Sequence, residues 1–124
     1  MGQEITSDQF SAEHFERFGP ISACGFNMVP VSEPYDLIIN ATSAGIKGEA
    51  PPYPAAAVSP ETFCYDLSYG LSATPFSTWA QERGASKSVM GWGMLVEQAA
   101  ESFFIWRGVR PDTKPVLKRI SISA

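Results

Sequence analysis

Three bulky apolar residues, Leu37, Ile38 and Ile39, follow one another without alternation, and this run constrains the fold more than any other feature of the sequence. A strand that packs on one face only alternates apolar and polar residues, whereas a strand covered on both faces does not. Strands of the second kind are typical of parallel sheets. The run therefore predicts a strand over residues 36–42 that is buried on both faces of a parallel sheet.

Strand and helix patterns alternate along the rest of the 124 residues. Residues 7–18 have helical apolar spacing and end at Gly19-Pro20, and residues 21–26 are a short predicted strand. Four prolines over residues 48–60 predict a surface loop. The later predicted elements are a strand over 62–69, a helix over 74–83, a strand over 86–90 and helices over 91–107 and 114–120. This alternation predicts an α/β fold with a parallel sheet, and no linker divides it into two domains.

Composition argues against several classes of protein. Hydrophobic residues make up 44% and charged residues 18%, which is typical of a folded domain. A net charge of -4 without a basic run argues against a nucleic-acid partner or an anionic membrane surface. No apolar run reaches the roughly 18 residues of a membrane span, and no secretory signal is visible at the start. We therefore expect a reduced, cytoplasmic protein.

Polar residues and glycine follow the first two predicted strands, where ligands of open parallel sheets bind. After the first strand, Asn40, Thr42 and Ser43 offer hydrogen-bond donors and acceptors, and Gly45 lets the backbone approach a ligand. Such residues also simply close strands, so both interpretations stay open. After the second strand, the hydroxyl of Tyr69 could hold a substrate carboxylate or hydroxyl, or could point into water.

A third candidate place is the start of the long helix. Gly91, Met94 and Gln98 fall within an arc of roughly 60° at helical spacing. Helix N-termini favour anions and polar ligand groups. The alternative is a partly solvated face, which the neighbouring Glu97 and Glu101 support. The main apolar stripe points elsewhere and consists of Leu95, Ala99, Phe103 and Trp106.

Other chemical sites are not predicted. His14 has no second histidine or cysteine nearby, which argues against a metal site, and Ser43 has no histidine partner that would make it a nucleophile. The sequence has no nucleophile elbow, no P-loop and no complete Gly-x-Gly-x-x-Gly motif. We therefore predict no catalytic residue and no metal in this chain.

Four stretches combine into one more specific pattern: DLIINATSAG at 36–45, YDLSY at 65–69, TPF at 74–76 and GWGMLVEQAA at 91–100. In order and separation they resemble the carboxy-terminal half of the shikimate dehydrogenase family, NADP-dependent enzymes of aromatic amino acid biosynthesis that interconvert 3-dehydroshikimate and shikimate. The resemblance covers about residues 15–120. It implies part of a Rossmann-like doubly wound parallel sheet. Residues 1–94 would be the second half of the NADP-binding domain, and residues 95–124 would be helices that pack toward the substrate domain.

The resemblance also implies roles for single residues. The turn over residues 40–43 would border the nicotinamide end of NADP, and Leu67 would contact the cofactor through its backbone. Gly91 would offer its backbone to the nicotinamide, with Met94 packed beside it. Tyr69 would reach the shikimate, and Gln98 would hydrogen-bond a ring hydroxyl or the carboxylate. The implied cofactor set is thus Asn40, Ala41, Thr42, Ser43, Leu67, Gly91 and Met94, and the substrate set is Tyr69 and Gln98.

The chain also departs from the family pattern. Nothing matches the amino-terminal substrate domain with its catalytic Lys and Asp, or the glycine-rich diphosphate loop. Near residues 3–6, where the family has Asn-Arg-Thr for the 2′-phosphate, Glu4 would repel a phosphate. Met90 stands where the family usually has Asp. We therefore expect a fragment that positions cofactor and substrate without turnover of its own.

Two other interpretations stay open. One is a non-catalytic half-Rossmann module for binding or assembly, and the other is a relative that uses quinate as well as shikimate. Half of a doubly wound sheet also leaves an open strand edge and an apolar face. The absent amino-terminal domain would cover these surfaces, and without it we expect the chain to self-associate.

Overall fold

A parallel sheet of three strands, in the order β1-β2-β3, forms the centre of the computed structural model, which describes residues 7–49 and 52–123. The strands are β1 (Leu37–Asn40), β2 (Phe63–Asp66) and β3 (Lys87–Met90). Both pairings are parallel, and they set Asn40 beside Asp66 and Asp66 beside Met90. The predicted α/β fold with a parallel sheet is confirmed.

The described residues contain four α-helices, which begin and end close to the predicted positions. They are α1 (Ser7–Phe15), α2 (Pro75–Glu82), α3 (Trp92–Arg107) and α4 (Lys114–Ser123), and a 3-10 turn at Glu16–Phe18 continues α1. At the start of α2, the Thr74 side chain accepts a hydrogen bond from the Ser77 amide, as an N-cap does. The end of α3 lies at Gly108, whose positive φ of 70° allows the chain to leave the helix.

The core lies between α2 and one face of the sheet. Cys64 of β2 and Phe76 and Ala80 of α2 are fully buried. The Tyr53 ring packs edge-on against Phe76, with 5.6 Å between ring centroids, and lies 5.2 Å from the Trp79 ring. Since α2 connects β2 to β3, this βαβ unit supplies its own cover for that face.

The prediction that β1 is buried on both faces is wrong for this structure. Leu37 is 51% exposed and Ile39 is 54% exposed, whereas Asn40 is only 1% exposed. The connection between β1 and β2 lies on the same face of the sheet as α2, because its Tyr53 packs on Phe76 and Trp79. The opposite face, which carries Leu37 and Ile39, is therefore only about half covered by the described residues.

Two further predictions need correction. Residues 21–26 are not a strand, because residues 21–25 are irregular and a 3-10 turn begins at Phe26 (Phe26–Met28). The proline-rich loop is only partly a surface loop, because Ala57 and Val58 are buried and Tyr53 packs on the core. The Tyr35 amide donates a 3.0 Å hydrogen bond to the Ala57 carbonyl, which holds the loop against the chain before β1. Among the described helices, none is long and apolar enough to cross a bilayer.

Candidate functional site at the carboxyl edge of the sheet

The turns that follow the three strands meet at one edge of the sheet. The Leu67 amide donates to the Asn40 carbonyl at 2.9 Å, and the Gly91 amide donates to the Ser68 carbonyl at 3.0 Å. A β-carbon added to Gly45 would lie 3.4 Å from the Ser68 hydroxyl oxygen, so the first and second turns are also neighbours. The three places that the sequence singles out therefore adjoin one another.

Asn40 directs its side chain into the protein. Its Nδ2 donates to Asp66 Oδ1 at 2.9 Å. Its Oδ1 accepts from the Thr42 amide at 3.1 Å, the Thr42 hydroxyl at 2.8 Å and the Tyr53 hydroxyl at 2.9 Å. Asn40 therefore shapes the turn, while Ala41 and Ser43 provide its exposed side chains.

The buried carboxylate of Asp66 connects the second turn to α2. Its Oδ1 also accepts from the Ser68 amide at 3.0 Å, and its Oδ2 accepts from the Thr74 hydroxyl. Sequence reasoning included Asp66 in a motif but assigned it no role. The sequence signal for Asp66 was a charged residue at the end of an otherwise apolar strand, because a buried carboxylate needs several hydrogen-bond donors.

Sequence reasoning also missed Tyr53, because the proline-rich loop around it carries no periodic pattern. Its hydroxyl reaches Asn40, and its ring reaches the core. Burial raises the pKa of the Tyr53 hydroxyl, and the negative charge of Asp66 adds to the rise, whereas a hydrogen bond with Thr42 lowers it. The neutral phenol is therefore the form that holds Asn40.

The start of α3 packs directly on the second turn. Gly91 is buried, and a β-carbon there would lie 2.4 Å from the Leu67 carbonyl oxygen. The Trp92 ring lies 4.6 Å from that of Tyr69, and its Nε1 donates to the Gly70 carbonyl at 3.3 Å. Tyr69 is thus fixed in place while 44% of its surface stays exposed.

Met94 and Gln98 follow Gly91 along one face of α3. Met94 is half-buried and Gln98 is exposed, two turns or about 10 Å along the helix axis from Gly91. Gln98 therefore lies at the far end of the candidate site, whereas Leu67, Gly91 and the first turn lie together.

The carboxylates beside Gln98 have partners. Arg110 pairs with Glu97 at 3.0 Å and with Glu101, and the Thr113 hydroxyl donates to Glu97 at 2.6 Å. The hydrogen bond from Thr113 and the charge of Arg110 hold the pKa of Glu97 below its ordinary value. These carboxylates therefore tie α3 to the segment before α4. Glu97, Gln98 and Glu101 are exposed, as the alternative of a partly solvated face predicts. Across the described ranges, no group of three or more His, Cys, Asp or Glu side chains could hold a metal ion.

Known proteins are similar to this chain in sequence. Residues 91–120 match the sequence model of the shikimate 5'-dehydrogenase C-terminal domain. The shikimate dehydrogenase (NADP(+)) of Methylococcus capsulatus is 49% identical over 115 residues, which cover 93% of this chain and 40% of that protein. This chain spans about two fifths of the length of the curated relatives it matches.

Solved structures agree with these sequence matches. An Ael1 enzyme from Pseudomonas putida superposes with a TM-score of 0.63 and 47% identity, over 71% of this chain and 32% of that one. A shikimate dehydrogenase in complex with NADP+ superposes with a TM-score of 0.55 and 34% identity, over 64% of this chain and 28% of that one.

Proposed function

This chain corresponds in sequence and fold to the carboxy-terminal part of the shikimate dehydrogenases, and from that premise we propose that its strand-end turns and the start of α3 position the nicotinamide end of NADP against shikimate or 3-dehydroshikimate. The bound cofactor would supply or accept the hydride. The chain would thus contribute to a step in the synthesis of aromatic amino acids. The observation that carries the proposal is the meeting of the three turns at one edge of the sheet.

The residues at this edge fit a flat nicotinamide ring. The first turn exposes only the small side chains of Ala41 and Ser43, so a ring can approach its backbone. Leu67 and Gly91 bring a second stretch of backbone beside it, and the half-buried Met94 adds an apolar surface. Backbone amide and carbonyl groups are suited to a carboxamide, which both donates and accepts hydrogen bonds.

The substrate would lie toward Tyr69 and Gln98. The ring of Tyr69 is held by Trp92, so its exposed part is presented in a fixed position. Gln98 offers an exposed amide farther along α3. A phenol and an amide together can hydrogen-bond the hydroxyl groups and the carboxylate of shikimate.

We assign no acid–base role to the chain. The carboxylate of Asp66 and the hydroxyl of Tyr53 lie near the edge, but both are engaged in hydrogen bonds inside the protein. The chain would therefore hold the reactants, and holding alone gives rate only when both are bound near each other. We expect no NADP-dependent oxidation of shikimate by these 124 residues alone.

The same proposal assigns different roles to two parts of the chain. Residues 1–94 would act as the second half of the NADP-binding domain, and residues 95–124 would face the substrate domain. The chain aligns with 40% of the length of the Methylococcus capsulatus relative, which supports a role as one part of a longer protein. A cytoplasmic location stays a prediction.

Ligand titration tests the proposal. Binding of NADP and of NAD to the purified chain is measured by calorimetry, with shikimate, with quinate and with neither. Because no residues here match the glycine-rich diphosphate loop of the family, we expect weak but saturable binding of NADP, and we expect shikimate to tighten it. The titration with quinate tests the interpretation that the chain is a relative that uses quinate as well as shikimate.

Two matched variants locate the binding site. Ala41→Trp places a bulky ring on the first turn and should abolish NADP binding. Ala56→Trp adds the same ring to another exposed alanine, in the 3-10 turn before β2, and should leave binding unchanged. Equal NADP affinity in the two variants, or no saturable binding by the unaltered chain, would refute the proposal.

Exposed apolar side chains on α3 favour a second candidate function, that of an assembly module. Phe103 is 46% exposed, Ile105 is 72% exposed and Trp106 is 77% exposed. Surfaces of this kind often mark contacts with another protein or another copy of the chain.

A further inference from the structure

We propose that Asp66 is a positioning residue whose carboxylate holds the turn after β1 and the turn after β2 in a fixed relation. This proposal rests on the proposed function for the roles of the two turns, since the first would face the cofactor and the second leads to Tyr69. The link that Asp66 makes between the two turns follows from its hydrogen bonds alone.

One oxygen of Asp66 serves both turns. Oδ1 accepts from Asn40 Nδ2 at 2.9 Å and from the Ser68 amide at 3.0 Å. Asn40 is the last residue of β1, and Ser68 lies directly before Tyr69. A displacement of either turn would therefore stretch a hydrogen bond to an atom that the other turn also uses.

The acceptor-only character of the carboxylate also orients the Asn40 amide. An ionised carboxylate accepts hydrogen bonds and donates none, so it selects the Nδ2 end of the amide. The Oδ1 end of Asn40 must then face Thr42, whose amide and hydroxyl both donate to it. Without the carboxylate, the amide could rotate, and the first turn would lose the acceptor that shapes it.

The second oxygen anchors the carboxylate to the core. Oδ2 accepts from the Thr74 hydroxyl, which itself accepts from the Ser77 amide at the start of α2. Asp66 is only 1% exposed, so water does not compete for these contacts. Asp66 thereby links both turns to α2, which packs on the sheet.

Three variants test the proposal. Asp66→Ala removes all three acceptor contacts. Asp66→Asn can keep its oxygen toward Asn40 and Ser68 and turn its NH2 toward the Thr74 hydroxyl. Thr62→Val is the matched control, since Thr62 is equally buried at the opposite end of β2, where its hydroxyl joins Ser59 and Tyr35.

The readouts are NADP affinity and hydrogen exchange at the amides of Thr42 and Ser68. We expect Asp66→Ala to weaken NADP binding by about tenfold or more and to speed exchange at both amides by a similar factor. Asp66→Asn should stay within about threefold of the unaltered chain in both measurements. Thr62→Val should leave both unchanged despite its cost in stability.

Equal NADP affinity and equal exchange in Asp66→Ala and Thr62→Val would overturn the proposal. If the unaltered chain binds no NADP, the proposed function fails, and exchange at Thr42 and Ser68 still decides the role of Asp66. If Asp66→Ala does not fold, Asp66→Thr replaces it, because a β-branched residue suits the strand and its single hydroxyl cannot serve all three donors.

Discussion

Gly91 packs against Leu67 so closely that a β-carbon at Gly91 would lie 2.4 Å from the Leu67 carbonyl oxygen and 2.9 Å from its carbonyl carbon. Both contacts are with backbone, which cannot move aside as a flexible side chain can. Gly91→Ala must therefore shift the start of α3 away from the turn after β2. We expect a loss of about 1–3 kcal/mol in the free energy of unfolding, measured by urea denaturation.

Gly93 provides the matched control for that prediction. It lies two residues later inside α3, and a β-carbon there meets nothing within 4 Å. Gly93→Ala should therefore raise the free energy of unfolding by about 0.5–1 kcal/mol, as alanine favours helix. Equal effects of the two substitutions would show that the contact with Leu67 is not tight.

Tyr53→Phe should lower the free energy of unfolding at neutral pH by about 1 kcal/mol. The substitution keeps the ring that packs on Phe76 and removes the hydroxyl that donates to Asn40 at 2.9 Å. Urea denaturation of both chains measures the difference.

The same pair of chains tests the ionisation of Tyr53. Because burial raises the folded pKa of Tyr53, the unfolded chain loses this proton first as the pH rises. The stabilisation is therefore complete below the unfolded pKa, about 10, and is lost as the pH rises through the folded pKa. The stability gap between the unaltered chain and Tyr53→Phe should narrow above about pH 10, and a constant gap would contradict the shift.

Acid should loosen the contact between α3 and the segment before α4. The pKa of Glu97 is lowered in the folded chain, chiefly by the Thr113 hydrogen bond and also by Arg110, so its contribution is present above the unfolded pKa. That contribution is lost as the pH falls through the folded pKa. A lower protection factor for hydrogen exchange at the Leu117 amide, which donates to the Thr113 carbonyl at 3.0 Å, would report the loss, since the intrinsic exchange rate itself falls in acid.

Glu97→Gln isolates the charge in that experiment. It should make the protection factor at Leu117 less dependent on acid, because the charge of Glu97 is already removed and only Glu101 still pairs with Arg110. Glu82→Gln removes a carboxylate from α2 and serves as the control, with the acid dependence unchanged. Identical acid dependence in the two variants would exclude Glu97 as the cause.

The exposed apolar side chains of α3 predict self-association. At concentrations of roughly tens of micromolar, sedimentation of the chain should show a mass above that of a monomer. Replacing Phe103 and Trp106 together by Gln should shift the chain toward the monomer. Phe18→Gln changes a residue that is 70% exposed outside α3 and should leave the mass unchanged. A monomeric unaltered chain would contradict the prediction.

Local patterns were enough to predict most elements and the edge of the sheet at which the candidate site lies. Helical spacing, Thr74-Pro75 and Gly108 located the helices, because caps and periodicity act over a few residues. The unalternating run at residues 37–39 predicted a parallel sheet, and parallel strands bring their carboxyl ends to one edge. The motif resemblance indicated which turn residues would face the cofactor and the substrate.

Only the tertiary structure decided what these residues contact and which faces are covered. The Asn40–Asp66 hydrogen bond joins residues 26 positions apart, and Tyr53 reaches Asn40 from a loop without periodicity. The exposure of Leu37 and Ile39 depends on which elements pack beside β1, and the hydrophobicity of these two residues does not determine it. Side-chain identity and spacing determine local conformation, whereas hydrogen-bond partners and burial depend on segments that meet only after the chain has folded.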